Sequence, residues 1–187
     1  MSKAFHAFDE IAPDVELDIV IEPANVIETG IIEQQFDIGI IPIHRTSASL
    51  VYEKLYAEQM YLYCGHNHLL FDLPVEEIRP RDIRRCKYAG LSFHSPNLVI
   101  GNKMKLVRSA DVNDQEALAI LILSGRYVGF LPDHFAASFV SNELMRPIGG
   151  KAFTYMSDFA AIYRRHPAPS CKTETFLECL RIVHAAK

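Results

Sequence analysis

NDQEALAILILSGRYVGFLPDHFA, residues Asn113 to Ala136, holds the pattern that decides the fold. Asn113 followed three residues later by Glu116 matches a capping box that opens a helix. Ala117 to Leu123 is apolar around the whole helical circumference, which predicts a buried helix, and Gly125 stands where a C′ glycine ends one. Tyr127 to Leu131 then reads as a strand, and Pro132 with Asp133 starts a second helix. Helix, glycine turn, short strand and helix in close succession mark an α/β chain whose parallel sheet is covered on both faces.

Working outward, Lys87 to Leu91 and Lys105 to Arg108 supply strands before this block, separated by the polar, glycine-containing segment Ser92 to Asn102. The first half repeats the theme. Phe5, Phe8 and Ile11 recur at three-residue spacing until Pro13 stops their helix. Val15, Leu17, Ile19 and Ile21 alternate with Glu16, Asp18 and Glu22, as a strand does. Asn25 with Glu28 predicts a helix through Val26 to Gln34, and Phe36 to Ile41 a covered strand, so strand, helix and strand form a βαβ unit. Further strands are expected over Leu50 to Tyr56, Met60 to Cys64 and Phe153 to Arg164, and a terminal helix over Thr173 to Ala186.

Composition bounds the function. With 187 residues, 49% of them hydrophobic, the chain can bury one generous core or two small ones. Its 19 Lys+Arg against 23 Asp+Glu leave a formal charge of -4, whereas a domain that lives on phosphate contacts shows a basic excess. Direct nucleic-acid binding is not expected. Cys64, Cys86, Cys171 and Cys179 form no CxxC pair and read as reduced apolar residues, and no ligand spacing predicts a metal or cofactor. The longest apolar run, Ala117 to Leu123, is far shorter than the ~20 residues of a membrane span. Met1 to Ile11, holding Asp9 and Glu10, has no signal-peptide core, so a cytoplasmic location is expected.

Three stretches, in this order and spacing, resemble the effector-binding domain of LysR-type transcriptional regulators. FDEIAPDVELDIVIEPANVIETGIIEQQFDIGII, Phe8 to Ile41, is similar to that family's helix, F-x-x-x-x-P-x-V turn, strand, helix and D-[ILV]-[AG]-[ILV] strand. LYAEQMYLYCGHNHLL, Leu55 to Leu70, is similar to its L-x-x-E-x-[LM]-x-L…H-x-L segment, and Asn113 to Ala136 to its long apolar helix, glycine turn, strand and Pro-started helix. The resemblance implies two Rossmann-like lobes similar to type 2 periplasmic binding proteins, joined by crossover strands. Lobe one would comprise residues 1–57 and 149–187 and lobe two residues 58–148. It further implies a small-molecule effector between the lobes, an organic anion among the candidates, which modulates DNA binding and transcription by the intact regulator. A homodimer or higher homo-oligomer is also implied. The family's winged helix-turn-helix, linker helix and first strand have no counterpart before Ser2, so DNA contact is expected only through a segment outside this chain. The edge of the Val15 to Ile21 strand would then be open to a second copy.

Ligands of parallel sheets bind beyond the carboxyl ends of the strands. The candidate effector-binding residues are therefore Asn25, Pro42, Ile43, His44, Ser92, His94, Ser95, Asn113 and Pro132. Ser92, His94 and Ser95, with Asn97, interrupt an apolar region and could orient a ligand; they also fit an ordinary turn around Pro96. The helix N-termini near Asn25 and Asn113 would favour a carboxylate by ~0.3–1 kcal/mol each, although capping alone, worth ~1 kcal/mol, also accounts for both residues. An enzyme is not expected. Ser124-Gly125 lacks the GxSxG elbow, Cys64 beside His66 and His68 lacks an oriented base, and there is no Gly-rich phosphate loop. The remaining alternatives are a stand-alone solute-binding protein and a small hydrolase.

Overall fold

The computed structural model describes residues 1–91 and 96–185, without the side chains of residues 97 and 98. In chain order the elements are α1 (Ser2–Ile11), α2 (Ala24–Ile32), β1 (Gly39–Pro42), β2 (Leu50–Gly65), α3 (Pro80–Ile83), β3 (Lys87–Leu91) and α4 (Pro96–Lys103). They continue with β4 (Arg108–Val112), α5 (Gln115–Leu123), β5 (Tyr127–Pro132), α6 (Asp133–Ser141), β6 (Met145–Pro147), β7 (Thr154–Arg164) and α7 (Cys171–Ala185). The fold is mixed α/β, and it divides into unit one, Met1–Ala57 with Asp158–Lys187, and unit two, Glu58–Ser157. Strands β2 and β7 each run through both units. The return crossing thus falls inside β7 and not at Gly149, because Ile148, Phe153 and Tyr155 pack into the core of unit two.

In unit one β1 pairs antiparallel with β7, Gly39 facing Ile162 and Pro42 facing Phe159. Helix α1 lies on α7, where Phe5 and Phe8 meet the Phe176 ring at 5.1 and 5.2 Å above Leu55, Ala161, Leu177 and Leu180. Gly39 lets α2 approach β1 closely, since a Cβ there would sit 2.3 Å from Ile27 Cγ2. The expected strand Val15 to Ile21 does not form among the described residues. The segment has no ladder partner and leaves Leu17, Ile19, Val20 and Ile21 exposed, so the expected first βαβ unit is not closed. Alternation marks which residues could share a face, but a strand exists only against a neighbour.

Unit two contains the parallel sheet. Strand β3 lies between β4 and β5 and runs parallel to both, β5 pairs antiparallel with β2, and β6 pairs with β2 near Gly65. Successive residues enter opposite cores, as the two-residue period of a strand requires. Leu62, Tyr88 and Phe130 join one cluster with Ile83 and Ile148, whereas Tyr63, Ala89 and Leu131 join the other with Leu118 and Ile122. Gly125 turns α5 toward β5 at φ 71, where a Cβ would meet Asn67 at 2.8 Å.

Four local expectations are corrected. The strands read over Leu50 to Tyr56 and Met60 to Cys64 are one continuous β2, and the strand read at Lys105 to Arg108 lies at Arg108–Val112. The polar segment after Leu91 contains α4. Helix α5 is not buried all round, because it covers one sheet face with Leu118, Ala119 and Ile122 while Ile120 remains 68% exposed.

Candidate functional site

The carboxyl end of β1 and the first turn of α2 build a charged cluster within unit one. Glu28, 3% exposed, stands in the inward stripe of α2 with Ala24 and Ile31, at i, i+4 and i+7. A carboxylate buried there requires donors. Its Oε2 accepts from Arg45 Nε at 3.0 Å and Nη2 at 2.8 Å, and its Oε1 accepts from the Tyr52 hydroxyl at 3.0 Å. That hydroxyl in turn accepts from Ser47 N at 3.2 Å. Burial and the hydrogen bond to Glu28 push the Tyr52 phenol above its ordinary range, and the same carboxylate holds the Arg45 guanidinium firmly charged. His44, at the rim of β1, has Nδ1 3.2 Å from Pro42 O and Nε2 3.7 Å from Glu28 Oε2. Ile43 N donates to Asp158 O at 2.8 Å, and Pro42 ends the strand.

Asn25 does not cap α2. Pro23, with its fixed φ, starts the helix two residues earlier, and its carbonyl accepts from Val26 N and Ile27 N at 2.8 and 3.0 Å. Asn25 therefore lies inside the first turn, and Glu28 turns to Arg45 and Tyr52 instead of back to a cap amide. Asn113 is likewise not the cap of α5. Asp114 takes that place, its Oδ1 accepting from Ala117 N at 2.7 Å.

In unit two the parallel pairings bring the carboxyl ends of β3, β4 and β5 to one edge of the sheet, with Leu91 facing Val112 and Tyr88 facing Val128. Asn113 follows β4 there, exposed, and Pro132 closes β5, buried, at the start of α6. Ser92, His94 and Ser95, expected at the end of β3, lie outside the described residues. Pro132 faces Met60 across β2, which brings Glu58 to the same edge. Its side chain is 12% exposed; Oε1 is 3.6 Å from His134 Nε2, and Oε2 has no hydrogen-bond partner among the described residues. Burial raises the Glu58 carboxyl above its ordinary range, opposed by His134 and reinforced by Asp133.

The candidate residues thus fall into two groups, Asn25, Pro42, Ile43 and His44 on unit one and Asn113 and Pro132 on unit two. Sequence reasoning missed Glu28, Arg45, Tyr52 and Glu58. An acid in the apolar stripe of α2, and another in the inward register of Met60, Leu62 and Cys64, were the legible signals. The Cys/His arrangement is not nucleophilic. Burial pushes the Cys64 thiol up to about 12, His66 Nδ1 meets Glu143 O, and His68 Nδ1 accepts from Leu70 N. Among the described residues no His, Cys, Asp and Glu cluster could hold a metal, and no helix is long and apolar enough to cross a membrane.

The LysR substrate binding domain family matches residues 1–185. The HTH-type transcriptional activator BauR of Pseudomonas aeruginosa is 29% identical over 182 residues, which are 97% of this chain and 60% of that protein, so the chain spans about three-fifths of this relative. Among solved structures, the effector binding domain of QuiR in complex with shikimate superposes with a TM-score of 0.83 at 12% identity, covering 99% of this chain and 90% of that one. Full-length CbnR complexed with its target DNA gives 0.69 at 16% identity, covering 96% of this chain and 63% of that one. Likeness at such identities shows the shared fold.

Proposed function

The chain belongs to the LysR substrate-binding domain family, and from that premise we propose that it is the sensing module of a longer, cytoplasmic transcription regulator. A small organic effector binds the residues at the carboxyl ends of its strands and alters promoter binding by the intact protein. The family match over residues 1–185 carries the reading. The convergence of three parallel strand ends at one edge of unit two supports it, because such edges are where open α/β sheets place ligands. The proposed contacts are Asn25, Pro42, Ile43 and His44 on unit one and Asn113, Pro132, Ser92, His94 and Ser95 on unit two. The protein works as a homodimer or higher homo-oligomer. DNA is held by a further segment, since this chain carries a formal charge of -4.

The regulatory half of the reading is tested on duplex DNA. The chain alone shows no salt-sensitive affinity for its promoter. A version extended to the length of BauR binds it, with an affinity that the effector changes by about 5–150-fold, the usual span of allosteric coupling. An extended protein whose DNA affinity ignores every ligand that stabilises the domain contradicts the proposal, as does a domain that sediments as a monomer at micromolar concentration.

A further inference from the structure

A cavity of about 280 Å³ opens in unit one, at the other end of β1 from Pro42 and His44. Its wall is built by the end of α2 and the turn after it, by the last residue of β7, and by the segment from Pro167 that leads into the first turn of α7. Because β1 and β7 run antiparallel, the carboxyl end of β7 stands beside the amino end of β1. The ladder pairs Gly39 with Ile162 and goes no further. Continuing its register by two residues sets Asp37 opposite Arg164, where antiparallel strands ordinarily pair opposite charges. No pair forms. Exposed Asp37 and half-buried Arg164 both line the cavity, and neither side chain has an ion-pair or hydrogen-bond partner among the described residues.

The neighbouring polar groups are already engaged. Of the hydroxyls on the same wall, that of Tyr163 donates to Glu53, and those of Ser170 and Thr173 bond each other at 2.7 Å. Arg165, next along the chain, donates to the carbonyls of Ala48 and Leu50. Much of the remaining wall is apolar, with Ile31, 1% exposed, beside Phe36 and Pro169. The volume limits the occupant, since ligand cavities usually span about 300–1,000 Å³ and this one suits a molecule the size of a single amino acid. A plain carboxylate would answer Arg164 and set a like charge near Asp37, and a plain amine would do the reverse. A zwitterion answers both.

Independently of the effector-binding reading, we propose that this cavity is a second small-molecule site, for a free amino acid with an apolar side chain. Its carboxylate meets Arg164, its ammonium meets Asp37, and its side chain lies on Ile31 and Phe36. The β1 strand alone, at ~3.3 Å per residue, holds this site about 10 Å from Pro42, so the two ends of the strand are occupied separately.

The test titrates the ¹⁵N-labelled domain with L-phenylalanine, 3-phenylpropionate and phenethylamine, which share one ring and differ in their charged groups. A molecule this small in an open cavity binds at about millimolar strength, so resonances are read and not melting. At a concentration equal to its Kd it would move the melting temperature by only about 1 °C. L-phenylalanine should move the backbone amide of Thr173 and the Nε resonance of Arg164, assigned with Arg164→Lys, and leave the amides of Ile43 and His44 in place. Each analogue should bind about tenfold more weakly, the scale of one lost charge-assisted hydrogen bond. Arg164→Ala should bring L-phenylalanine level with phenethylamine, and Asp37→Asn should bring it level with 3-phenylpropionate. Neither side chain has a partner to lose among the described residues, so both variants keep the fold. The proposal is overturned by L-phenylalanine that leaves Thr173 and Arg164 unmoved, by 3-phenylpropionate that binds as tightly as L-phenylalanine, or by a response that survives Arg164→Ala. L-phenylalanine that moves only Ile43 and His44 also removes it, while leaving the effector-binding reading in place.

Discussion

Replacing Glu28 with alanine removes the acceptor around which the unit-one cluster is arranged, and the structure sets the size of the effect. Arg45 is exposed and regains water, so its contacts are left out of the sum. The Tyr52 hydroxyl, 3.0 Å from Oε1, loses a bond to a charged acceptor, worth about 1.5–3 kcal/mol, and the lost Glu28 methylene adds about 0.8 kcal/mol. The total is about 3 kcal/mol. At this chain length each kcal/mol moves the melting temperature by about 2–4 °C, so Glu28→Ala should melt roughly 6–12 °C lower. Differential scanning fluorimetry of the wild type, Glu28→Ala, Tyr52→Phe and the double variant forms the cycle. Tyr52→Phe breaks the same bond from the other side, and the double variant should fall short of the additive loss by about 1.5 kcal/mol. A Glu28→Ala protein melting within about 2 °C of wild type, or strict additivity in the cycle, refutes the claim that this carboxylate is held and satisfied as described.

Three further outcomes follow from the same structure. Glu58→Gln should raise stability at pH 7: burial lifts the folded carboxyl above its unfolded value, so the ionised form is penalised in the fold. The gain should vanish as pH falls below the unfolded carboxyl range; melting curves from pH 7 to pH 4 decide, and a destabilised variant at pH 7 is the contrary result. Glu53 shows the opposite sign. Its carboxyl, held low chiefly by the bidentate Arg181 bonds at 2.8 Å and also by Tyr163, contributes stability above the unfolded range that is lost as pH drops through the folded value. Glu53→Gln should therefore flatten the acid limb of a stability-against-pH curve. Iodoacetamide at pH 8 should modify one thiol, the exposed Cys171, since burial raises Cys64 to about 12, Cys86 to about 11, and Cys179 as well; mass spectrometry finding native Cys64 alkylated would contradict the packing.

The unit-two block was legible because its signals are local. Gly125 at a left-handed turn, Pro132 ahead of a helix and a run of apolar residues in α5 each fix one backbone feature within a few positions. What escaped depends on neighbours. Val15 to Ile21 has the alternation of a strand and no ladder to join, and β2 runs unbroken from Leu50 to Gly65 through the gap expected between Tyr56 and Met60. Capping failed by one or two residues in both helices, since Pro23 and Asp114 start them before Asn25 and after Asn113. The loop rule named His44 and Pro42 as candidates. It could not reach Glu28 or Glu58, whose importance lies in being buried acids, although each breaks an apolar register visible in the chain.

The central claim, that this domain binds a small organic effector at its strand ends, is tested most directly by a thermal-shift screen against metabolites carrying ammonium, hydroxyl and carboxylate groups. A ligand at a hundred times its Kd adds ~2.7 kcal/mol to the folded state. Wild type should then melt about 5–10 °C higher with a small set of related molecules, and His44→Ala with Asn113→Ala should abolish the shift. A domain that no molecule stabilises, or one whose shift survives intact in that double variant, contradicts the account.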